Sequence, residues 1–298
     1  MANVVEMGGE CDCTTAEEFL DKLSPRHPLW QPSPSTWMFR GQCGDWPLLP
    51  KAYRDNGAKF ADYAIRCYIK PSKTIPEQSA YDTAFKQLIN RFRTDLNDSG
   101  LAIPAPSPRL FEWGRTPQKP SGQLSSDATP LLALAQHFGL PTPLLDWTTR
   151  PYVAAYFALP LIWTDTNPLI VWAIRRDSIP LGIELKEAGF DDEAALMTVE
   201  TAPRASNPNL HAQSGLFTLI DGKSASEYTV AKYMEAVVAK LSPDTVDRQD
   251  WPFMRKLTLP YGQSKALRKL LTADGINGAS MFPGYDGVVR AMRERALW

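Results

Sequence analysis

The sequence has little of what marks secreted, membrane or disulfide-rich proteins. It contains four cysteines, Cys11, Cys13, Cys43 and Cys67, and none of them form a CxxC pair. No apolar run is long enough to span a bilayer, and residues 1–12 have neither the basic nor the apolar region of a signal peptide. These absences predict a cytoplasmic protein with reduced thiols and without a membrane partner.

The chain also lacks an excess of positive or negative charge, and it lacks the common catalytic motifs. Lys and Arg number 32 against 33 Asp and Glu, which argues against a general nucleic-acid or membrane-surface binder. The chain has no GxxxxGK[ST], GxGxxG, HExxH or GxSxG motif, so P-loop NTPases, Rossmann oxidoreductases, zincins and α/β-hydrolases lack their minimal parts. Cys11, Cys13 and His27 imitate a metal site but have no fourth ligand, so we expect no metal.

The length of 298 residues is near the upper limit for one hydrophobic core. We expect residues 1–35 to form a short helix and a Pro-rich connector, with a weakly ordered start at 1–13 and a capped helix beginning at Thr14–Glu18. Residues 36–298 then form the main domain. A helical and Pro-rich insertion is predicted at about 59–128.

Three segments make up that insertion. Apolar residues at helical spacing predict helices at 61–69 and 77–96. Residues 103–126 are rich in proline and polar side chains, which predicts a long loop. A loop of that length in a compact domain suggests a lid or a binding surface.

The remaining pattern predicts an α+β fold with a small central β-sheet and flanking helices. Strands are predicted at 37–39, 144–145, 169–174, 209–219 and 257–259, and 169–174 is apolar throughout and therefore central. Helices are predicted at 129–138, 152–159 and 264–274, with a loosely helical segment at 191–199. A closing segment follows at 275–287, where Asp286 is interpreted as a turn residue rather than a catalytic one.

Residues 129–160 organise the chain as a helix, a Pro/Gly turn, a short strand and a second helix. His137 falls in the last turn of the first helix, and Asp146, Trp147 and Thr148 follow the strand directly. Loop side chains and free helix N–H groups converge where a strand meets a helix, which is typical of a small-molecule site. The alternative is a structural turn in which Asp146 or Thr148 caps the second helix.

Arg40 is the second notable position. It lies at the end of the predicted strand 37–39, directly before Gly41, and an unpaired charge at the end of a buried strand is costly. Its partner is therefore either a carboxylate of the same protein or the diphosphate of a nucleotide, which a planar guanidinium suits well.

Five short motifs, taken in order, resemble the FRG domain family, which is bacterial and phage-associated. They are Phe39-Arg40-Gly41-Gln42, Ala135-Gln136-His137-Phe138-Gly139-Leu140-Pro141-Thr142, Leu144-Leu145-Asp146-Trp147-Thr148, Ala212-Gln213-Ser214-Gly215-Leu216-Phe217 and Phe282-Pro283-Gly284-Tyr285-Asp286-Gly287. The resemblance spans residues 36 to about 292. Membership by itself implies little chemistry.

A more distant resemblance is to the mono-ADP-ribosyltransferases, in which an aromatic-Arg-Gly motif opens the NAD site. It implies a split central sheet, NAD as the substrate, and Arg40 with Gly41 at the NAD diphosphate. It also implies that Thr148 steadies the nicotinamide ribose, and Trp147 is expected to stack on a ring. The third strand of those enzymes carries a Glu, whereas this chain has Gln213-Ser214-Gly215.

Two functions are therefore expected as alternatives. In the first, Asp146 replaces the missing carboxylate, His137 hydrogen-bonds it, and Gln213 completes an ADP-ribosyltransferase-like or NAD-consuming site. Such an enzyme suits a toxin or phage-conflict effector with an unidentified macromolecular target. In the second, the domain is a non-catalytic module that recognises a nucleotide or a partner protein.

Overall fold

A computed structural model describes residues 9–31, 33–57, 78–104, 128–160, 166–179, 196–203, 207–221, 230 and 254–296. The helix predicted at 61–69 and nearly all of the Pro-rich segment 103–126 lie outside the described residues. So do Cys67 and the beginning of the segment 191–199.

A seven-stranded open sheet forms the centre of a mixed α/β fold. The strands are β1 (Glu10–Asp12), β2 (Trp37–Cys43), β3 (Leu144–Thr148), β4 (Leu169–Arg175), β5 (Leu196–Glu200), β6 (Gly215–Asp221) and β7 (Met254–Leu259). Their order across the sheet is β1-β7-β4-β2-β3-β6-β5, and every pair is antiparallel except β1 with β7. The expectation of a small sheet is therefore wrong.

Two edge strands account for most of that difference. The chain start expected to be weakly ordered contains β1, which pairs with β7 from Glu10 opposite Lys256 to Asp12 opposite Thr258. The segment expected to be loosely helical overlaps β5, which pairs with β6 along its full length. Both strands are short, and pairing with a neighbour, rather than their own periodicity, stabilises them.

Eight α-helices accompany the sheet in the described part of the chain. They are α1 (Ala16–Leu23), α2 (Gln78–Asp98), α3 (Thr129–His137), α4 (Pro151–Ala158), α5 (Pro208–Ala212), α6 (Ser264–Ala273), α7 (Gly278–Met281) and α8 (Tyr285–Ala296). Short 3₁₀ helices lie at Pro28–Trp30, Pro34–Thr36, Lys51–Gly57, Arg176–Ser178 and Tyr261–Gln263. The helix start predicted near Thr14 is confirmed, because Thr15 Oγ1 accepts a hydrogen bond from Glu18 N at 3.2 Å.

The single strand predicted at 209–219 is wrong, because the structure divides this segment into α5 and β6. Asn207 caps α5 by accepting from Leu210 N at 2.9 Å, and Pro208 follows at the first helical position. Ser214 then turns the chain with a φ of +48°, an uncommon conformation for a residue other than glycine. Asp286, which was expected in a turn, lies in the first turn of α8.

Apolar side chains cover both faces of the sheet. On one face, α1, α4 and α6 pack against β2, β4 and β7 in a cluster that includes Trp30, Phe39 and Val171. On the same side of β3 and β6, α2 and α3 bury a second cluster around Leu144. The opposite face of the sheet carries a third cluster, to which Trp147 belongs. The two clusters on the first side leave a gap between α3 and α4, and this gap positions the candidate site.

Candidate functional site

A cleft opens where β2 and β3 separate. These strands pair at one position, Phe39 opposite Thr148, whereas β2 and β4 pair at seven consecutive positions. Side chains and backbone from α3, α4, α5 and β6 border the opening, which has a volume of about 360 Å³ and is open to solvent. This volume lies within the range of small-molecule sites. We call this opening the Arg40 cleft.

The Arg40 cleft brings together every site residue that the sequence predicts. Its lining includes Arg40, Gly41, His137, Asp146, Trp147, Thr148 and Gln213. These residues come from β2, α3, β3 and the turn before β6, so the fold gathers side chains that are up to 173 positions apart in sequence. Their individual roles differ from the expectations in several cases.

Arg40 and Asp146 contact each other across the gap between the strands. Arg40 Nη1 donates to the main-chain oxygen of Asp146 at 2.8 Å and lies 3.8 Å from its carboxylate Oδ2. The Arg40 side chain is 15 % exposed, and its Nε is buried without a hydrogen-bond partner. Burial lowers the pKa of this guanidinium from its ordinary value, and the charge of Asp146 acts in the opposite direction. Of the two partners expected for Arg40, the structure contains the internal carboxylate.

The Asp146 carboxylate faces the open cleft and is held by Gln136. The Asp146 side chain is 62 % exposed, and Oδ1 accepts from Gln136 Nε2 at 2.6 Å. The amide of Gln136 is oriented in turn by Thr142, whose hydroxyl donates to Gln136 Oε1. A hydrogen bond from the Gln136 amide and an ion pair with the Arg40 guanidinium therefore position this carboxylate.

His137 does not make the expected hydrogen bond to Asp146. Its Nε2 lies 3.3 Å from Asn209 Nδ2, at the opening of the cleft. Helix geometry explains why His137 does not reach Asp146, because Gln136 and His137 are consecutive on α3 and point in directions about 100° apart. Gln136 faces Asp146, and His137 faces α5.

Trp147 is not available to stack on a ligand. Its ring is 3 % exposed and belongs to the cluster on the opposite face of the sheet, where Nε1 donates to Thr218 Oγ1 at 2.9 Å. Successive strand residues point to opposite faces, so Asp146 and Thr148 face the cleft side and Trp147 does not. The expected stacking role of Trp147 is wrong.

Thr148 and Gln213 use their polar atoms within the protein. Thr148 Oγ1 donates to the main-chain oxygen of Gln213 at 2.7 Å and accepts from Arg150 N at 3.0 Å, at the entry to α4. Gln213 Nε2 donates to Met281 O at 3.0 Å. These bonds connect β3, the turn before β6 and α7, and thereby fix the walls of the Arg40 cleft.

Two glycines allow close packing at the cleft, Gly41 against backbone and Gly215 against a side chain. A Cβ on Gly41 would overlap the main-chain oxygen of Ala154, so glycine lets β2 lie directly against α4. A Cβ on Gly215 would overlap Leu210 Cδ1, so a side chain there requires Leu210 to move. Because position 215 is a glycine, it supplies no carboxylate. Asp146 is the only carboxylate among the described residues that line the cleft.

Several other lining residues were not identified from the sequence, among them Gln136, Asn209, Phe157 and Phe282. Gln136 and Phe282 lie inside two of the motifs that carry the family resemblance, which was the signal that could have found them. Phe157 and Phe282 contact each other edge to face, with ring centroids 6.0 Å apart, and supply the aromatic surface that was expected from Trp147.

The residues that the structure describes contain neither a candidate metal site nor a candidate membrane span. No group of three or more His, Cys, Asp or Glu side chains there is arranged to hold a metal ion. In the same residues, no helix combines the length and the apolar character needed to cross a bilayer.

Comparison with known proteins supports one family. Residues 35–161 match the model of the FRG domain family. No curated protein and no solved structure matches the chain. The matched segment begins just before β2 and ends just after α4, so it contains Arg40, His137 and Asp146 but not Gln213. The FRG resemblance is thus supported over the part of the chain that builds most of the cleft, whereas the resemblance to ADP-ribosyltransferases has no support among the comparisons.

Proposed function

We propose that the Arg40 cleft binds NAD or a closely related nucleotide and cleaves its nicotinamide–ribose bond. The observation that carries this proposal is the Asp146 carboxylate, which faces an open cleft and is held there by Arg40 and Gln136. A carboxylate fixed in position at the edge of a water-accessible cleft can stabilise the positive charge that develops on the ribose as a glycosidic bond breaks.

The proposed reaction needs only NAD, the Asp146 carboxylate and a nucleophile. The bond between the ribose C1′ and the nicotinamide nitrogen breaks, and its electron pair leaves with neutral nicotinamide. The ribose then carries positive charge, which Asp146 stabilises electrostatically. A nucleophile, either water or a group on a target molecule, forms the new bond at C1′ and releases its proton to solvent.

Arg40 has two roles in this proposal. It orients Asp146 through the main-chain and carboxylate contacts, and its positive charge attracts the diphosphate of the nucleotide. Phe157 and Phe282 offer apolar ring surface for the nicotinamide or the base. Thr148 and Gln213 act as positioning residues, because the Thr148 hydroxyl and the Gln213 side-chain nitrogen are bonded within the protein.

An ADP-ribosyltransferase-like or NAD-consuming activity of this kind fits a toxin or a phage-conflict effector, as the family resemblance implies. The target would be a macromolecule in a transferase and water in a glycohydrolase. We place the reaction in the cytoplasm, where NAD is present and the cysteines stay reduced.

A second function is favoured by one specific observation. Gly215 stands where a transferase carries its Glu, and Asp146 is the only carboxylate among the described cleft residues. A cleft with one carboxylate also fits a non-catalytic module that recognises a nucleotide or a partner protein. In that case Arg40 and Asp146 serve recognition rather than turnover.

The deciding experiment incubates the purified protein with NAD and a cell lysate. It follows nicotinamide release and ADP-ribose incorporation for the native protein and for Asp146→Asn. Asp177→Asn is the matched control, because Asp177 is also exposed but pairs with Arg175 outside the cleft. We expect turnover in the native protein and in the control, and loss in Asp146→Asn.

The other outcomes separate the two functions. No turnover, together with a rise in Tm on adding NAD that Asp146→Asn abolishes, would establish the binding module. Absence of both turnover and a change in Tm would overturn the nucleotide proposal altogether.

A further inference from the structure

The C-terminal helix α8 exposes an apolar stripe next to the Arg40 cleft. Tyr285 is 94 % exposed, Met292 is 60 % exposed, and Val288 and Val289 are also exposed. Residues at these spacings share one face of a helix. Gly287, Ala291 and Glu294 form the buried face of α8, so the stripe points away from the domain. We call these four residues the α8 stripe.

The helix that carries the stripe is fixed to the domain. Glu294 Oε1 accepts from Tyr156 OH at 2.6 Å, and Oε2 accepts from Gly278 N at 2.9 Å. Arg268 and Arg290 approach the same carboxylate at 3.6 and 3.4 Å. The exposed stripe is thus a preformed surface on an anchored helix.

Two hollows lie along one edge of the stripe, and Asp286 and Arg290 line both of them. One of about 420 Å³ is also lined by Tyr285 and shares His137, Asn209 and Phe282 with the Arg40 cleft. The other, of about 470 Å³, lies among Tyr156, Val289 and Arg293. A chain lying along the stripe would therefore have recesses along one side and a path into the cleft.

The charges around the stripe indicate which charge a partner would carry. Arg293 and Arg295 are exposed and Arg290 is half-buried, whereas Asp286 is the one exposed carboxylate of α8. Glu294 is buried and already accepts the bonds described above. The surface is therefore apolar along its centre, with Arg295 at one edge and Arg293 together with Asp286 at the other. Its exposed charge is net positive, which is complementary to a segment with apolar side chains flanked by carboxylates.

We propose that the α8 stripe docks a protein segment that is apolar on one side and acidic at its edges. The arginines at the two edges and the recesses along one of them argue for such a segment. The same continuity would deliver a side chain of the docked protein to the Arg40 cleft. That delivery step rests on the proposed function, whereas the docking itself does not.

A fluorescein-labelled synthetic peptide tests the docking directly. The peptide carries leucine at helical spacing with glutamate at the flanking positions, and its anisotropy is measured against the native protein, Val288→Glu/Met292→Glu and Arg293→Glu/Arg295→Glu. We expect each double variant to weaken binding about tenfold or more. The arginine variant is expected to gain binding to the same peptide with lysine in place of glutamate. Leu101→Glu is the matched control, because Leu101 is an exposed apolar residue elsewhere in the fold and its substitution leaves binding unchanged.

Three results would overturn the docking proposal. Equal binding of a scrambled peptide, or no difference between native protein and variants, excludes a specific surface. Failure of the acidic peptide combined with stripe-dependent binding to phosphatidylcholine–phosphatidylserine vesicles assigns the stripe to a membrane instead. Circular dichroism and Tm confirm that each variant is folded.

A second readout tests the delivery step. With NAD and lysate, Val288→Glu/Met292→Glu is expected to lower ADP-ribose incorporation into protein while nicotinamide release to water is unchanged. Equal incorporation with intact release would overturn the delivery step alone. Absence of release from the native protein would be a failure of the proposed function, and the peptide measurement still decides the docking.

Discussion

Arg40 Nη1 donates to the main-chain oxygen of Asp146 at 2.8 Å and lies 3.8 Å from the carboxylate of the same residue. One guanidinium therefore contacts both the backbone and the side chain of the facing strand, at the point where β2 and β3 cease to pair. The two contacts differ in their consequences for stability.

We expect Arg40→Gln to lower the free energy of unfolding by about 1–3 kcal/mol, because it removes the donor that the Asp146 carbonyl uses and leaves a gap in a buried position. Asp146→Asn keeps that carbonyl and loses only a solvent-exposed ion pair, so its cost is below about 1 kcal/mol. Urea unfolding measures both values. Equal losses would mean that the carboxylate, rather than the main-chain oxygen, is the important partner.

Gln136 is expected to act through Asp146. Gln136→Ala removes the amide that holds the carboxylate at 2.6 Å, and a displaced carboxylate is expected to lower the proposed NAD cleavage roughly tenfold to a hundredfold. Because both changes act on one group, Gln136→Ala/Asp146→Asn should be no slower than Asp146→Asn alone. His137→Ala is the neighbouring control, since His137 contacts Asn209 and not Asp146. Additive losses in the double variant would show that Gln136 acts independently. If NAD is bound but not cleaved, the NAD-induced change in Tm replaces the rate as the readout.

Gly41 is expected to tolerate no side chain. A Cβ there would overlap the main-chain oxygen of Ala154, and backbone cannot move aside as a flexible side chain does. Gly41→Ala should therefore cost at least the upper part of the usual overpacking range of about 1–3 kcal/mol. Gly262→Ala is the matched control, because a Cβ at Gly262 meets nothing within 4 Å. Urea midpoints that fall equally in both variants would contradict the close approach of β2 and α4.

The sequence could identify seven of the residues at the cleft but not which of their side chains face it. Arg40 and Asp146 were found because charged residues next to apolar strands are unusual and need a partner. Trp147 was misassigned because the strand predicted at 144–145 was too short to fix the alternation, whereas β3 continues to Thr148. Once the strand has that length, its period of two residues sends Asp146 and Trp147 to opposite faces.

Interactions between distant segments explain most of the other differences. Gln136 contacts Asp146 and Thr142 only because α3 lies over β3, and nothing in the local pattern of α3 distinguishes Gln136 from His137. The strands β1 and β5 are short, and each is defined by its pairing with β7 or β6. The helix α5 did have a local signal, Asn207-Pro208, which the prediction of one continuous strand overlooked.

Glu294 is expected to be essential to the C-terminal helix. It is 8 % exposed and faces Arg268, which is 4 % exposed. Glu294→Ala leaves that buried arginine without its carboxylate, and loss of one member of a buried pair costs about 3–5 kcal/mol. Tyr156→Phe removes a single hydrogen bond to the same carboxylate and should cost about 1 kcal/mol. Urea unfolding with a loss in Glu294→Ala no larger than that in Tyr156→Phe would show that the arginine contact contributes little.

Cys13 is expected to resist alkylation in the folded protein. Burial raises the pKa of its thiol to about 12, and nearby Lys22 offsets only part of this effect. At pH 8 about one Cys13 thiol in 10⁴ is ionised, and the thiolate is the reactive form. Iodoacetamide at that pH should label the half-buried Cys11 and Cys43 while Cys13 stays unmodified, as read by fragmentation mass spectrometry.

The raised pKa of Cys13 predicts how both its labelling rate and its contribution to stability change with pH. The labelling rate of Cys13 should rise about tenfold per pH unit between pH 8 and 10 while the fold persists. Because the folded-state pKa lies above the ordinary value of 9.0, the neutral thiol favours folding below pH 9, and this contribution is lost as the pH rises towards 12. Labelling in urea, where all thiols are exposed, is the control. Equal labelling of Cys11 and Cys13 in the native protein at pH 8 would place Cys13 in contact with solvent and contradict its burial beside β7.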